Sequence, residues 1–305
     1  MLYLCAGILM LLAGIFLMRY SLKKALWRRL RSLLKKTAGT PGRALLTGTA
    51  ASAACQSSST ICLLALGLVS GEYMTFPQAL GLVLGANIGT CSTVQLVNLS
   101  LPLRLLLPCL AITITLSFFR KTRYAAMALT GFFSMLIGLS FLSQGISQLS
   151  EQTDLFASLL LANTHPLYAI WSGILITIAF QSSSAATALI MLLAGDGLLG
   201  LSSAAYIVYG NNLGSCFSSI LFSAAAPVAA RRVALSHVLL NVIGVALFFP
   251  LTAPLLKVTE WFSTDFGNQI ALFHLLFNLL SSLLAFMLLQ PFIRLILYLL
   301  PERRS

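Results

Sequence analysis

The sequence predicts an all-α polytopic membrane protein, an inverted-topology repeat with about seven transmembrane helices and two re-entrant helical hairpins. Two observations support this prediction. Of the 305 residues, 58% are hydrophobic and 9% are charged, with a mean hydropathy of +0.94, whereas soluble domains carry about 25% charged residues. The tetrapeptide Gln-Ser-Ser-Ser at residues 56–59 also returns at residues 181–184, which is 125 residues later.

A second polar motif recurs in phase with the first. Asn87 lies in Gly-Ala-Asn-Ile-Gly-Thr and Asn212 lies in Gly-Asn-Asn-Leu-Gly-Ser, each 31 residues after the glutamine of its own tetrapeptide, Gln56 or Gln181. Two polar motifs that repeat in phase within apolar sequence indicate an internal structural repeat. We assign residues 43–146 to repeat 1 and residues 166–289 to repeat 2, within one membrane domain over residues 1–305.

Seven apolar stretches are predicted to span the membrane: 1–18, 75–99, 103–119, 125–146, 202–222, 233–256 and 270–289. No basic segment precedes the apolar run at residues 1–18, so a first span is favoured over a cleaved signal peptide. Residues 19–38 contain eight Lys and Arg, with Leu22, Leu26, Leu30 and Leu33 near one helical face. This pattern is typical of an amphipathic helix on the cytoplasmic membrane surface. We favour a role as a topological anchor over the alternatives, which are lipid sensing and a docking site.

The positions of the charges predict the topology. If residues 43–70 and 166–194 each enter the membrane and return on the same side, the basic clusters all lie in the cytoplasm, and the acidic Glu151 and Asp154 lie outside. The N-terminus is then outside and the C-terminus is cytoplasmic, in the inner membrane. Arg104 and Lys257 are the exceptions. The clusters are Arg19 to Lys36, Arg120 with Lys121 and Arg123, Arg231 with Arg232, and Arg294 to Arg304. This bias explains the net charge of +12 without nucleic-acid binding.

The repeated motifs predict a polar site at membrane depth. A helix break inside the bilayer persists only where protein or a wet cavity satisfies the backbone. A Gln-Ser-Ser-Ser tip supplies hydroxyls and an amide, and the helix that starts there offers free N–H groups to an anion. We expect the Asn87 and Asn212 motifs to unwind their spans locally and expose carbonyl oxygens to sodium. Two tips and two unwound spans that meet at the midplane form the site geometry of a secondary transporter.

Charged residues are absent from the predicted spans near these motifs. An anion bound there would have its charge offset by helix N-termini and co-bound cations, which predicts ion-coupled anion transport. A proton relay is disfavoured because it needs an intramembrane carboxylate or histidine. The sequence predicts no enzyme activity, no cofactor and no transition-metal site, because Asp154, Asp196 and Asp265 lie in loops and the six cysteines lack metal-type spacing.

Two His-x-x-x-Asn pairs occur in the last third of the chain. His237 with Asn241, and His274 with Asn278, each lie on one helical face. They could line the pathway, but we favour interhelical hydrogen bonds.

The motifs resemble those of the sodium/phosphate cotransporter type II family. The first half reads QSSST with GANIGT, the second reads QSSSAAT with GNNLGS, and RRVALSHVLLN and FHLLFN resemble later family segments. The resemblance covers residues 40–280 approximately. It implies sodium-coupled symport of inorganic phosphate by alternating access, with phosphate, sodium and the lipid bilayer as partners, and with a homo-oligomer and a separate PhoU-like regulator as further candidates.

The resemblance also implies site residues. Phosphate contacts are expected from Ser57, Ser58, Ser59, Ser182, Ser183, Ser184, Asn87 and Asn212. Sodium contacts are expected from Gln56, Thr60, Thr90, Gln181, Thr187 and Ser215.

Two departures from the family pattern bear on these expectations. Many bacterial members continue into a PhoU-like domain, whereas this sequence ends at Ser305 and is expected to be a short form. Asn211 and Ser215 replace the usual Ala and Thr, which predicts altered ion stoichiometry or selectivity. Transport of another oxyanion, export of phosphate, and a non-transporting scaffold or sensor remain open.

Overall fold

A computed structural model describes residues 2–99, 101–150 and 165–301. Within these ranges all regular secondary structure is helical, which confirms the predicted all-α class. The predicted outer acids Glu151 and Asp154 and the tail residues Arg303 and Arg304 lie outside the described residues. The helices are α1 (Leu2–Thr37), α2 (Pro41–Cys55), α3 (Ser58–Ser70), α4 (Phe76–Val97), α5 (Leu103–Ser117), α6 (Arg123–Ser150), α7 (Pro166–Phe180), α8 (Ser183–Gly195), α9 (Leu201–Ser223), α10 (Val228–Phe248), α11 (Thr252–Glu260), α12 (Phe266–Met287) and α13 (Leu289–Leu299).

Five of the described helices are long and apolar enough to cross a membrane: α1, α4, α6, α10 and α12. The chain is therefore a multi-pass membrane protein. The other two predicted spans correspond to α5 and α9. With 15 residues, α5 extends about 22 Å, less than the bilayer core of about 30 Å. Helix α9 has 23 residues, but its polar motif lowers its hydropathy.

Helix α1 joins two elements that the sequence suggested were separate. The predicted span at 1–18 and the predicted basic helix at 19–38 form one continuous helix, Leu2–Thr37. Leu30 and Leu34 are buried in a cluster with residues of α2, α3, α4 and α10, and Leu26 packs on the same cluster. The apolar stripe of the basic half is thus covered by protein at these positions, where the sequence predicted contact with the membrane surface.

The internal repeat is visible in the helix boundaries. The first residues of α2, α3, α4 and α5 lie 125 positions before those of α7, α8, α9 and α10. Proline begins both α2 and α7, where its fixed φ suits the first helical position and its missing N–H costs nothing. We call α2–α3 hairpin 1 and α7–α8 hairpin 2.

Glycines of α4 and α9 show that each hairpin enters and returns. A Cβ at Gly85 would meet the backbone of Leu45, and a Cβ at Gly89 would meet that of Thr49, so the contacted residue in α2 advances with the residue in α4. Helices α2 and α4 are therefore parallel and begin at the same face, which leaves α3 as the returning arm. The equivalent contacts of α9 with α7 are Gly210 on Ile170 and Gly214 on Ile174.

The two hairpins enter from opposite faces. Helix α4 is antiparallel to α12, α12 is antiparallel to α10, and α10 is antiparallel to α9, so α4 and α9 run in opposite directions. The predicted inverted topology is thus confirmed. Between α4 and α12, the contacts are Asn87 with Ser282 and Gln95 with Ala271. Between α10 and α12, they are Gly244 with Ser281 and Phe248 with Phe277. Between α9 and α10, they are Cys216 with His237 and Tyr209 with Phe248.

Replacement of Gly85 by Ala tests the close packing of α2 on α4. The new methyl group would overlap the carbonyl oxygen of Leu45, and overpacking of this kind costs about 1–3 kcal/mol. We expect Gly85→Ala to lower the thermal midpoint of the detergent-solubilised protein by several degrees. Gly67→Ala is the matched control, because a Cβ there meets nothing within 4 Å. Equal midpoints for the two variants would contradict this packing.

Candidate functional site

Each hairpin reverses at its glutamine. Gln56 (φ 54°) and Gln181 (φ 51°) adopt the left-handed conformation, which is costly for residues other than glycine. Hydrogen bonds of the Gln56 side chain offset part of this conformational cost. Its Nε2 donates to the Ala53 carbonyl and, over 3.1 Å, to Ser92 Oγ on α4. The amide of Gln181 donates only to the Ile178 carbonyl, over 2.8 Å, and is exposed.

The first serine of each tip caps the helix that follows. Ser57 Oγ accepts from the Thr60 N–H over 3.3 Å, and Ser182 Oγ accepts from the Ala185 N–H over 3.1 Å. Since the first N–H groups of a helix have no partner within it, those of the next residues in α3 and α8 remain for a ligand. The serines predicted as direct contacts thus also shape the two helix N-termini.

Both tips line one cavity. It is narrow, about 20 Å³, which is enough for one water molecule. The lining residues come from the tips, from α1, and from the neighbouring parts of α7 and α9. They are Arg19, Ser57, Ser58, Ser59, Thr177, Ile178, Gln181, Ser182, Ser183, Gly214, Ser215, Phe217 and Ser218. The structure therefore brings together the two motifs that the sequence separates by 125 residues.

Arg19 corrects the expectation that charged side chains are absent from the site. Its Nη2 donates to Ser184 Oγ over 3.0 Å, and its buried Nε has no hydrogen-bond partner among the described residues. In the sequence, Arg19 adjoins the basic residues that follow it and is not distinguished from them by residue type. Its position four residues after the buried Ile15 and eight after the buried Leu11 places it on the inward face of α1, and this register is the signal that was missed.

The predicted sodium residues occupy different environments. Gln56 is buried, and within the described part of the chain its Oε1 has no hydrogen-bond partner. Thr90 donates to the Ala86 carbonyl over 2.8 Å and lies 3.2 Å from Ser52 Oγ. Thr60 is half-buried beside Ser57, and Ser215 donates to the Asn212 carbonyl over 2.6 Å.

Thr187, the remaining predicted sodium residue, belongs to a buried network that fixes hairpin 2. Asn211 Nδ2 donates to Thr187 Oγ1 on α8 over 3.1 Å, and Asn211 Oδ1 accepts from Thr177 Oγ1 on α7 over 3.1 Å. Asn211 therefore holds both arms of the hairpin against α9. The residues 125 positions earlier are Ser52, Cys62 and Ala86, and there only Ser52 makes the equivalent bond, to the Ala86 carbonyl.

Asn87 and Asn212 lie away from the cavity lining. Asn87 Nδ2 reaches Ser282 Oγ on α12 over 3.3 Å, and Asn212 Nδ2 donates to the Val208 carbonyl over 2.9 Å. The expected local unwinding is wrong, since α4 and α9 are continuous helices through both motifs. The motif glycines instead let α2 and α7 approach closely, as described above.

The two His-x-x-x-Asn helices form a second symmetric pair. Cys91 on α4 donates to the His274 carbonyl on α12, and Cys216 on α9 donates to the His237 carbonyl on α10. His237 Nδ1 also lies 2.9 Å from Ser219 Oγ. The contacts of His237 and Asn241 agree with the interhelical role favoured from the sequence, whereas the Asn278 amide donates to the His274 carbonyl within α12. The sequence did not reveal that α10 and α12 occupy equivalent positions in the two halves, because their His-x-x-x-Asn motifs are offset by 37 residues rather than 125.

Asn211 stands where the family pattern has Ala, and the variant Asn211→Ala tests whether this asparagine has a structural role. Loss of two buried hydrogen bonds is expected to cost about 1–3 kcal/mol and to lower the thermal midpoint by a few degrees. Asn98→Ala, at the half-buried end of α4, is the control and should change the midpoint little. An unchanged midpoint for Asn211→Ala together with an altered sodium dependence would instead favour the ion-selectivity role.

Comparison with known proteins agrees with this architecture. The chain matches the family described as Na+/Pi-cotransporter in two segments, residues 10–144 and 135–283, one in each half. No solved structure matches the chain.

Three relatives show the range of the similarity. The uncharacterized protein YqeW of Bacillus subtilis (strain 168) is 28% identical over 98% of this chain and 97% of its own length. The putative inorganic phosphate export protein YjbB of Escherichia coli (strain K12) is 28% identical over 82% of this chain, which spans only 46% of that relative. The human sodium-dependent phosphate transport protein 2C is 34% identical over 27% of this chain and 14% of its own length. The family match extends over most of the sequence, and the chain belongs to the Na+/Pi-cotransporter family.

Proposed function

We propose that the protein moves inorganic phosphate across the cytoplasmic membrane together with sodium, by alternating access around the cavity between the hairpin tips. The observation that carries the proposal is that two Gln-Ser-Ser-Ser tips, on hairpins entering from opposite faces, line one cavity. The names of the relatives support phosphate as the substrate, since one is called a putative inorganic phosphate export protein and another a sodium-dependent phosphate transport protein.

Phosphate would bind at the two helix N-termini. The N-termini of α3 and α8 each carry roughly half a positive charge, and hydroxyls of Ser58, Ser59 and Ser183 line the same space. Oxyanions bind well to such N–H groups. Ser57 and Ser182 would contribute through the caps that orient these N–H groups, and Ser184 through the hydroxyl that Arg19 contacts.

Sodium would bind beside the tips. The buried Gln56 Oε1 without a partner supports this, because a buried polar atom left unpaired calls for a ligand. The hydroxyls of Thr60, Thr90, Thr187 and Ser215, and the amide of Gln181, are the further proposed ligands. A hydroxyl that donates to a carbonyl keeps lone pairs for a cation, so the hydrogen bonds of Thr90 and Ser215 are compatible with this role.

The two tips differ in a way that suits alternating access. The tip of hairpin 1 is hydrogen-bonded to α4, from the buried Gln56 to Ser92. At the equivalent position of α9 stands the exposed Phe217, and Gln181 is exposed too. The cavity is thus less enclosed by protein beside the tip of hairpin 2 than beside the tip of hairpin 1.

Phosphate export is the second candidate. The similarity to the export proteins covers 82% of this chain, while the similarity to the human sodium-dependent protein covers 27%. A symporter moves its substrate in whichever direction the gradients drive it, so the two functions share one site and differ in coupling.

Uptake into proteoliposomes separates these functions. We expect accumulation of radiolabelled phosphate under an inward sodium gradient and little under an equal potassium gradient. Equal phosphate flux with either cation would contradict sodium coupling and favour export without it. No phosphate flux from a folded preparation would move the question to another oxyanion and then to a scaffold.

Glycine at the tips tests the glutamine side chains without disturbing the turn. Glycine adopts the left-handed conformation freely, so Gln181→Gly should keep or raise the thermal midpoint. Gln56→Gly should lower it, because the buried side chain and its hydrogen bond to Ser92 are lost. Both variants should abolish sodium-dependent uptake. Glu72→Gly is the matched control, since Glu72 has φ 59° at the base of hairpin 1 and lies outside the cavity lining. Uptake in the tip variants equal to that of the control would contradict the assignment of both glutamines.

A further inference from the structure

We infer that Arg19 is a substrate-binding residue, the cationic group that holds the oxyanion between the hairpin tips. This inference rests on the proposed function and adds a ligand from α1, outside both repeated motifs. The side chain lines the cavity together with Ser57, Ser58, Ser59 and Ser183.

The guanidinium group has unused donors at the site. Its Nη2 donates to Ser184 Oγ over 3.0 Å, while its buried Nε has no partner. Arginine presents five N–H donors in a planar fork that matches the oxygens of phosphate two at a time. A phosphate at the tips would satisfy the free Nε and take over the bond that Nη2 now makes to the serine.

The charge of the site calls for an anion. Among the residues that line the cavity, and within the part of the chain that the structure describes, Asp and Glu are absent. Arg19 is half-buried, and a cation held among uncharged groups with reduced access to water is costly unless an opposite charge joins it. The N-termini of α3 and α8 add about half a charge each, so with Arg19 the tips carry roughly two positive charges. Inorganic phosphate carries between one and two negative charges at neutral pH, which this arrangement balances.

Arg19 lies on α1, which packs against α6 and hairpin 1 and is a separate element from hairpin 2. Helix α1 is locked to α6 by antiparallel glycine contacts, with Gly14 against Met135 and Gly131 against Met18. Its hydrogen bond reaches only hairpin 2, through Ser184. Arg19 can therefore hold the anion from a fixed support while hairpin 2 rearranges around it.

An opposite role for Arg19 makes a different prediction. The cavity has room for one water molecule, about 20 Å³, so the guanidinium must shift before phosphate enters. If Arg19 only plugged the site or latched α1 to α8, its removal would leave the apparent KM for phosphate unchanged or lower it. If it binds the anion, its removal raises the KM.

Phosphate counterflow in proteoliposomes, with equal sodium on both sides, measures this KM without regard to coupling or direction. We expect Arg19→Gln to raise the KM about tenfold or more, as for loss of a charge-assisted bidentate contact. Arg19→Lys, which keeps the charge but loses the fork, should fall between Arg19→Gln and the unmodified protein. Lys24→Gln, an exposed basic residue on the same helix, is the control and should leave the KM unchanged. An unchanged or lower KM for Arg19→Gln would overturn the inference.

Two further measurements keep the outcome decisive. If Arg19→Gln does not fold, Arg19→Lys alone decides, because a plug or latch predicts no rise in KM when the charge is kept. If the unmodified protein shows no phosphate counterflow, the proposed function fails, and the shift in thermal midpoint on addition of phosphate, sulfate or arsenate then tests Arg19 separately. Stabilisation by one of these oxyanions that Arg19→Lys weakens supports the inference, and its absence in the unmodified protein overturns it.

Discussion

Two helices that end halfway through the protein impose the main constraint on this fold. A helix break at membrane depth leaves backbone N–H groups that lipid cannot satisfy, so each break must be enclosed by protein and supplied with polar partners. The Gln-Ser-Ser-Ser tips meet part of this demand themselves, through the left-handed glutamine and the serine cap. Residues that carry the remaining N–H groups line one cavity, and the same unsatisfied groups that make the break costly are the proposed anion ligands.

The rest of the architecture supports these two breaks. Parallel packing of α2 on α4 and of α7 on α9 needs glycines at the contact, and it holds each hairpin against a full-length helix. Buried polar contacts then fix each tip differently, through Gln56 and Ser92 in hairpin 1 and through Asn211 in hairpin 2. Symmetry of sequence thus produces a shared scaffold, while single substitutions such as Asn211 make the two halves unequal.

Much of this could be predicted from the sequence because the repeat is strong and its phase is constant. The charge distribution alone predicts two re-entrant hairpins, because only they bring every basic cluster to one side of the membrane. The antiparallel helix contacts, which place the two hairpins at opposite faces, agree with this prediction. The continuous α4 and α9 could not be foreseen, because glycine permits both unwinding and close helix contact, and only the neighbouring helix decides between them. Arg19 was missed because a basic run conceals one member that points inward, although its spacing from Ile15 and Leu11 carried that information.

The central claim is that hairpins entering from opposite faces meet tip to tip. Short thiol cross-linkers applied to membranes containing Ser58→Cys with Ser183→Cys, in a background without the native cysteines, test it most directly. The account predicts efficient cross-linking of this pair and none for Gly71→Cys with Gly195→Cys at the two hairpin bases. Absence of the tip cross-link, or cross-linking of the bases, would contradict it.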